Sequence, residues 1–299
     1  MITGIAYLEF GVRDLDACRH LLVTGLGLDE LGHGTGQDGE RVAIIAVGSS
    51  LLQLHEHAVA VSELADDGSS RDYLEVPGSI QHISFYTQDN QRVYDNLKDV
   101  IQRTRDVPLG DGPSEQPLYH SYIQRSLVTF RMPDGYGVQV SESIDPRTHL
   151  VERLAFKKGQ ADAGASHHFQ GLDHIHILTQ DVTAERRFLG SLLGLEELEH
   201  RTETYPPVAG YEEATFGAGM TELEVSQSDV TRDRTLGPGS IRAMGFWTDN
   251  VDEACGALAG RGLAIEAEPG PRSPLPEVPR RGFTFRGLGG LSLEIAQRP

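Results

Sequence analysis

The residues with the clearest chemical potential are polar side chains set into short apolar segments. His174 and His176 alternate with isoleucines, which predicts that both imidazoles lie on one face of a β-strand. Four other segments share an apolar pattern with a Gln or Glu at the same place, namely Gln53, Gln139, Glu224 and Glu294. Imidazole and carboxylate groups bind divalent metals and act as general acids or bases. The chain has no HExxH, GxSxG or CxxC motif, so common protease, hydrolase and dithiol chemistry is not indicated.

These polar positions belong to a unit that repeats along the chain. Residues 12–31 align with residues 179–198, and shorter stretches at 79–90 and 240–251 share the same entry pattern. Each copy is a strand pattern followed by Asp or Asn, then a helical pattern, then further strand patterns separated by turn residues. The repeat therefore predicts an α+β fold with four βαβββ modules.

The repeated helices have recognisable ends. Asp14 and Asp181 precede apolar residues at helical spacing, and a short carboxylate at that place accepts from the free amides of the first turn. Gly27 and Gly194 follow at equal distances, where a left-handed residue often ends a helix. We therefore expect two equivalent helices, one in the first module and one in the third.

Composition limits the partners of the protein. The chain has 26 basic and 44 acidic residues and a formal charge of -18, which disfavours nucleic acids and anionic membrane surfaces. Its two cysteines, Cys18 and Cys255, stand far apart in sequence and do not indicate a disulfide framework. The N-terminal residues lack the pattern of a secretory signal. We therefore expect a cytoplasmic protein that binds a small molecule and can form homo-oligomers.

The repeat resembles the vicinal-oxygen-chelate superfamily, which includes glyoxalases, bleomycin-resistance proteins and extradiol dioxygenases. In that superfamily βαβββ modules pair so that their sheets form cups, and four modules are typical of ring-cleaving dioxygenases. The resemblance implies a two-module N-terminal domain at 1–145, a linker at 146–170 and a two-module C-terminal domain at 171–299. The first of these domains is expected to be structural, and the second to contain the site.

The resemblance also implies which positions bind a metal. Metal ligands in this superfamily come from the first and last strand of each module. The first-strand positions here are Tyr7, His82, His174 and Ala243, and the last-strand positions are Gln53, Gln139, Glu224 and Glu294. In the second domain these positions predict a metal site of His174, Glu224 and Glu294, with His176 as a catalytic base. One divalent ion is expected, with Fe(II) favoured and Mn, Ni or Zn as alternatives.

Two departures from the dioxygenases leave the function open. Ala243 occupies the position of a ligand His, and residues 241–299 contain no His or Tyr, although ring-cleaving enzymes use both there. The leading interpretation is a dioxygenase-like metal enzyme that acts on a small oxygen-chelating substrate. A glyoxalase- or epimerase-like enzyme and a drug-sequestering binding protein are the alternatives. Whether the first cup binds anything is also open; its polar residues are Tyr7, Gln53, His55, His82 and Gln139.

Overall fold

A computed structural model describes the chain in eleven stretches. These are residues 2–36, 38–56, 80–87, 89–103, 118–120, 125–133, 136–143, 169–202, 212–227, 241–287 and 290–298. The linker expected at 146–170 lies almost entirely outside these stretches, so its boundaries stay a prediction.

The described residues form four copies of one unit, a strand, a helix and three strands. Module 1 contains β1 (Ile2–Val12), α1 (Leu15–Arg19), β2 (Asp29–Thr35), β3 (Arg41–Val47) and β4 (Ser50–Glu56). Module 2 contains β5 (Ile80–Thr87), α2 (Asn90–Arg103), β6 (Leu118–His120), β7 (Arg125–Arg131) and β8 (Gly137–Ser143). Module 3 contains β9 (Phe169–Thr179), α3 (Val182–Arg186), β10 (Glu196–Arg201), β11 (Glu213–Ala218) and β12 (Thr221–Gln227). Module 4 contains β13 (Ile241–Thr248), α4 (Val251–Gly260), β14 (Ile265–Pro271), β15 (Arg281–Gly287) and β16 (Leu291–Gln297). The α+β fold of four βαβββ modules is thus confirmed.

The strands form two eight-stranded sheets, and the modules pair differently from the expectation. One sheet joins the first and last modules, 1 and 4, and is here called the outer sheet; its order is β2-β3-β4-β1-β13-β16-β15-β14. The other joins the two middle modules, 2 and 3, and is here called the inner sheet; its order is β6-β7-β8-β5-β9-β12-β11-β10. The expected grouping put modules 1 and 2 into one domain, 1–145, and modules 3 and 4 into another, 171–299. The described strands contradict that grouping, because each sheet combines modules from both halves of the chain.

The pairing is decided where two modules meet. At the centre of each sheet the first strands of two modules run antiparallel, β1 beside β13 and β5 beside β9. In the outer sheet Tyr7 lies opposite Gly245. A Cβ on residue 245 would lie only 2.2 Å from Cε1 of Tyr7, so the aromatic ring occupies space that glycine leaves free. The expected grouping followed the general rule that sequential elements are neighbours, whereas complementarity between distant strands selects these partners.

One apolar core is shared by the two sheets. Strand residues contribute to it alternately, as Ala43, Ile45 and Val47 of β3 do, because successive side chains point to opposite faces. Phe10 of module 1 contacts Tyr136 of module 2 edge to face, with ring centroids 5.2 Å apart. Since the core takes one face of each sheet, the polar residues of interest are left on the other.

The helices are short and begin as the sequence predicts. Asp14 Oδ1 accepts a hydrogen bond from the Ala17 amide at 2.9 Å, and Asp181 Oδ1 accepts one from Ala184 at 2.8 Å. Both α1 and α3 continue as one turn of π-helix, at His20–Gly25 and Arg187–Leu192. Gly27 and Gly194 then have φ angles of 72° and 79°, a conformation that glycine adopts without strain. Within the described residues no helix is long and apolar enough to span a membrane.

Candidate functional site

Three histidines meet where β5 and β9 pair in the inner sheet. His82 lies opposite His176 in this antiparallel pair, and His174 lies two residues along the same strand. The Nε2 atoms of His82 and His174 are 3.0 Å apart. The ring of His176 is nearly perpendicular to that of His82, with centroids 5.0 Å apart. The two strands, one from module 2 and one from module 3, therefore bring three imidazoles into a single cluster.

The last strands of the same two modules add a carboxylate and an amide beside this cluster. Glu224 of β12 lies opposite His176 in the parallel pair with β9. Gln139 of β8 lies opposite Ser84 of β5 in the equivalent parallel pair. Both side chains are half-buried. The histidine cluster is thus flanked on one side by Glu224 and on the other by Gln139, all on the polar face of the inner sheet.

Buried polar neighbours orient two of the imidazoles. His174 Nδ1 lies 3.0 Å from Oδ2 of Asp173, and both residues are buried. A carboxylate in this position holds the proton on Nδ1, so the lone pair of His174 lies on Nε2, the atom that contacts His82. His176 Nε2 lies 2.6 Å from Oγ of Ser226, which donates its own proton to Glu213 at 3.1 Å. Since a serine has only one proton to donate, His176 Nε2–H is the donor to Ser226.

Burial keeps two of these imidazoles, those of His82 and His176, uncharged near neutral pH. Desolvation lowers the pKa of His82 well below its ordinary value, and the neighbouring His174 and His176 lower it further. Desolvation also lowers the pKa of His176, although the negative charges of Glu224 and Glu213 oppose that shift. The imidazoles of His82 and His176 are therefore neutral at pH 7, which is the protonation state that a metal ligand or a general base requires.

The donor types in the inner sheet fit a divalent first-row metal. Neutral imidazole nitrogen, carboxylate oxygen and amide oxygen are all ligands of Fe(II), Mn(II), Ni(II) or Zn(II). The 3.0 Å contact between the Nε2 atoms of His82 and His174 brings two such donors together. Among the described residues, no three His, Cys, Asp or Glu side chains already form a complete cluster. Residues His82 and His174, with Glu224 and Gln139 after side-chain rotation, would hold the ion.

Glu294, the third member of the expected metal site, lies elsewhere. It belongs to β16 of the outer sheet, where Tyr7 Oη donates a hydrogen bond to its Oε2 at 3.0 Å. Arg280 Nε lies 2.9 Å from its Oε1, and the guanidinium stacks 4.0 Å above the Tyr7 ring. Burial raises the pKa of Glu294, while Arg280 opposes that shift. The expected grouping of Glu294 with His174 and Glu224 is wrong, because module 4 pairs with module 1.

The pairing of module 4 with module 1 also explains why Ala243 does not interrupt the histidine cluster. This residue lies opposite Glu9 in the outer sheet, so it leaves no gap beside His174. His82 occupies the place beside His174 that the expected pairing of modules 3 and 4 gives to Ala243. The sequence already contained the signal, because His82 occupies the equivalent first-strand position of module 2. The expected pairing of modules 1 and 2 instead puts His82 in a cup whose other positions, Tyr7, Gln53 and Gln139, offer only a phenol and two weakly binding amides.

Comparison with known proteins agrees with this architecture. Glyoxalase I from Zea mays has a TM-score of 0.65 at 15% identity, covering 98% of this chain and 92% of that chain. A putative dioxygenase from Bacillus subtilis subsp. subtilis str. 168 has a TM-score of 0.67 at 13% identity, and the match covers 100% of this chain and 86% of that chain. Likeness at such low identity shows the fold alone, and that fold is the α+β arrangement of four βαβββ modules in two sheets.

The sequence itself supports the family through its second half. A family model described as "Glyoxalase/Bleomycin resistance protein/Dioxygenase superfamily" matches residues 171–277. No curated protein sequence matches the chain. The match covers less than half of the chain and lies in modules 3 and 4, so residues 171–277 are similar to that superfamily. The fold of the described residues agrees with the four βαβββ modules that the sequence predicts.

Proposed function

We propose that the chain is a metal-dependent enzyme that acts on a small substrate with two neighbouring oxygen atoms, in the manner of a ring-cleaving dioxygenase. Its active site is the polar face of the inner sheet. His82, His174 and Glu224 would hold the ion, with Fe(II) favoured. Two histidines and one carboxylate are the ligand set of non-haem Fe(II) oxygenases. The outer sheet has no part in this chemistry.

The observation that carries this proposal is the 3.0 Å contact between the Nε2 atoms of His82 and His174. These histidines come from different modules, so a second imidazole stands beside the carboxylate-bearing strand of module 3. His82, His174 and Glu224 therefore supply two histidines and one carboxylate, which the ligand positions of modules 3 and 4 together do not. An ion held there supplies Lewis acidity to a chelating substrate and, if it is iron, reactivity towards O₂.

The surrounding residues of the chain have separate roles in the proposed reaction. Asp173 orients His174 by accepting from its Nδ1–H. His176 has Nε2–H engaged by Ser226, so its Nδ1 carries the free lone pair and accepts a proton from a substrate hydroxyl. Burial of the cluster lowers the pKa of His176, which makes a neutral base available at pH 7.

A second candidate function is a glyoxalase- or epimerase-like proton transfer, and Gln139 favours it. Gln139 lies opposite Ser84, which is two residues along β5 from His82. Glu224 has the equivalent position in module 3, because it lies opposite His176, two residues along β9 from His174. With Gln139 included, the chain would supply four donors to the ion. Such a site suits Zn(II), Ni(II) or Mn(II) and the removal of a proton from a carbon beside a polarised oxygen.

The test compares metal content and reaction in matched variants. Wild type, His82→Ala, His174→Ala and Glu294→Gln are reconstituted anaerobically with Fe(II), and bound iron is measured by elemental analysis. We expect iron to be lost in both histidine variants and kept in Glu294→Gln, the control in the outer sheet. Circular dichroism confirms that each variant is folded. Oxygen uptake is then measured with a panel of catechols.

The outcomes separate the candidate functions. Iron retained by both histidine variants would refute the site. Selective binding of Zn, Ni or Mn, with solvent deuterium exchange at a 2-oxo substrate and no oxygen uptake, would favour the second candidate. A protein that binds no metal after reconstitution but binds a small molecule unchanged would leave the sequestering interpretation.

A further inference from the structure

A second group of polar residues lies on the outer sheet, remote from the histidine cluster. Glu9 of β1 stands opposite Gln53 of β4 in their parallel pair, and His55 is two residues further along β4. Because side chains alternate between faces, Gln53 and His55 point to the same side of the sheet. Gln53 is one of the last-strand positions implied by the family resemblance, whereas Glu9 and His55 lie outside those positions.

The proton on His55 is held away from Glu9. His55 Nδ1 lies 2.6 Å from Oε1 of Glu40, so a carboxylate accepts from Nδ1–H. In the neutral ring Nε2 then carries a lone pair. This nitrogen is buried and has no hydrogen-bond partner among the described residues. It faces Oε2 of Glu9 at 4.0 Å, which places two electron-pair donors opposite each other across a gap.

The neighbouring side-chain amide, that of Gln53, is also buried and unpaired among the described residues. Gln53 is 1% exposed, and neither its Nε2 nor its Oε1 has a hydrogen-bond partner within the described part of the chain. Buried polar atoms in folded proteins are nearly always paired, so an unpaired buried amide requires an explanation, and a bound ion is one. The amide oxygen, the His55 nitrogen and the Glu9 carboxylate are three donors that a single cation could satisfy.

We propose that Glu9, Gln53 and His55 form a binding site for a divalent cation of the zinc type. Two donors on a tetrahedral Zn(II) with bonds of about 2.1 Å lie about 3.4 Å apart, so His55 Nε2 and Glu9 Oε2, which are 4.0 Å apart, would approach each other by roughly 0.6 Å to share one ion. Glu40 orients the histidine from behind. Arg242 Nη1 lies 3.8 Å from Oε1 of Glu9, which is the oxygen that does not face His55. The donor set of one nitrogen and two oxygens suits Zn(II) or Mn(II).

The test is made in a background that lacks the inner-sheet site. The full chain with His82→Ala and His174→Ala is dialysed against Zn²⁺, and bound zinc is counted. We expect one zinc per chain, and we expect it to be lost on further substitution of His55→Ala. Glu9→Gln keeps the shape of the side chain and removes its charge, and should raise the dissociation constant at least 10-fold. Tyr7→Phe, in the same sheet but outside the donors, should leave zinc binding unchanged.

Each outcome bears on this site alone. No zinc bound in the double variant overturns the proposal. Zinc retained after both His55→Ala and Glu9→Gln also overturns it. The inner-sheet proposal is judged separately, since it concerns the iron lost with His82 and His174.

Discussion

The contact between modules 1 and 4 can be tested at Gly245, where the side chain of Tyr7 crosses the neighbouring strand. An added Cβ at residue 245 would lie 2.2 Å from Cε1 and 2.3 Å from Cδ1 of Tyr7. Ordinary carbon–carbon contacts begin near 3.5 Å, so the ring or the strand must move by more than about 1 Å. Tyr7 is buried under Arg280 and bonded to Glu294, which restricts that movement.

We expect Gly245→Ala to lower the free energy of unfolding by about 2–3 kcal/mol, the upper part of the range for overpacked interiors. The measurement is urea unfolding followed by circular dichroism. Tyr7→Ala in the same chain removes the obstacle, so the double variant should be more stable than the sum of the two single effects by about 1–2 kcal/mol.

A matched control is Gly256→Ala in α4, where a Cβ meets nothing within 4 Å. This exposed helical position should gain up to about 1 kcal/mol from helix propensity. If Gly245→Ala changes stability by less than about 0.5 kcal/mol, or if its effect adds to that of Tyr7→Ala, the described contact between β1 and β13 is not formed in solution.

Two further predictions concern the histidine cluster. The folded-state pKa values of His82 and His176 are lowered, so the unfolded chain binds more protons below about pH 6.5. The metal-free protein should therefore lose stability as the pH falls through 6.5 towards the lowered values, by up to about 1.4 kcal/mol per pH unit for each proton. Urea unfolding between pH 8 and pH 5 measures this loss, and His82→Asn should reduce the slope; an unchanged slope would contradict a neutral His82. Asp173→Asn should weaken iron binding about 10–100-fold, as removal of a carboxylate behind a ligand histidine does. Iron titration monitored by elemental analysis tests it, with Glu294→Gln as control, and equal affinity in both variants would exclude the positioning role of Asp173.

Much of the local structure follows from the sequence. The spacing of Asp14 and Gly27, repeated at Asp181 and Gly194, predicts the helix limits that the structure has. Alternation along β9 correctly puts His174 and His176 on one face, beside Glu224. These features depend on hydrogen bonds and side-chain directions within about ten residues, and the residue types alone specify them.

The composition of the candidate site could be predicted only in part. His174, His176 and Glu224 lie in one module, so a correct strand register is enough to bring them together. Glu294 lies in the other sheet, whereas His82 and Gln139 lie in the same sheet as His174. The sequence does not specify which modules pair, and one exchange of module partners accounts for all three positions.

The sequence by itself determined the four modules, their capped helices and the strand positions that carry polar groups. Only the tertiary structure decided which modules share a sheet, and hence which of those groups meet. The four modules offer similar strand edges, so hydrogen bonding between backbones does not distinguish the possible partners. The distinction comes from side chains that meet across the central strands, such as Tyr7 against Gly245 and His82 against His176. Because these residues are far apart in the chain, their fit exists only once the sheets have formed.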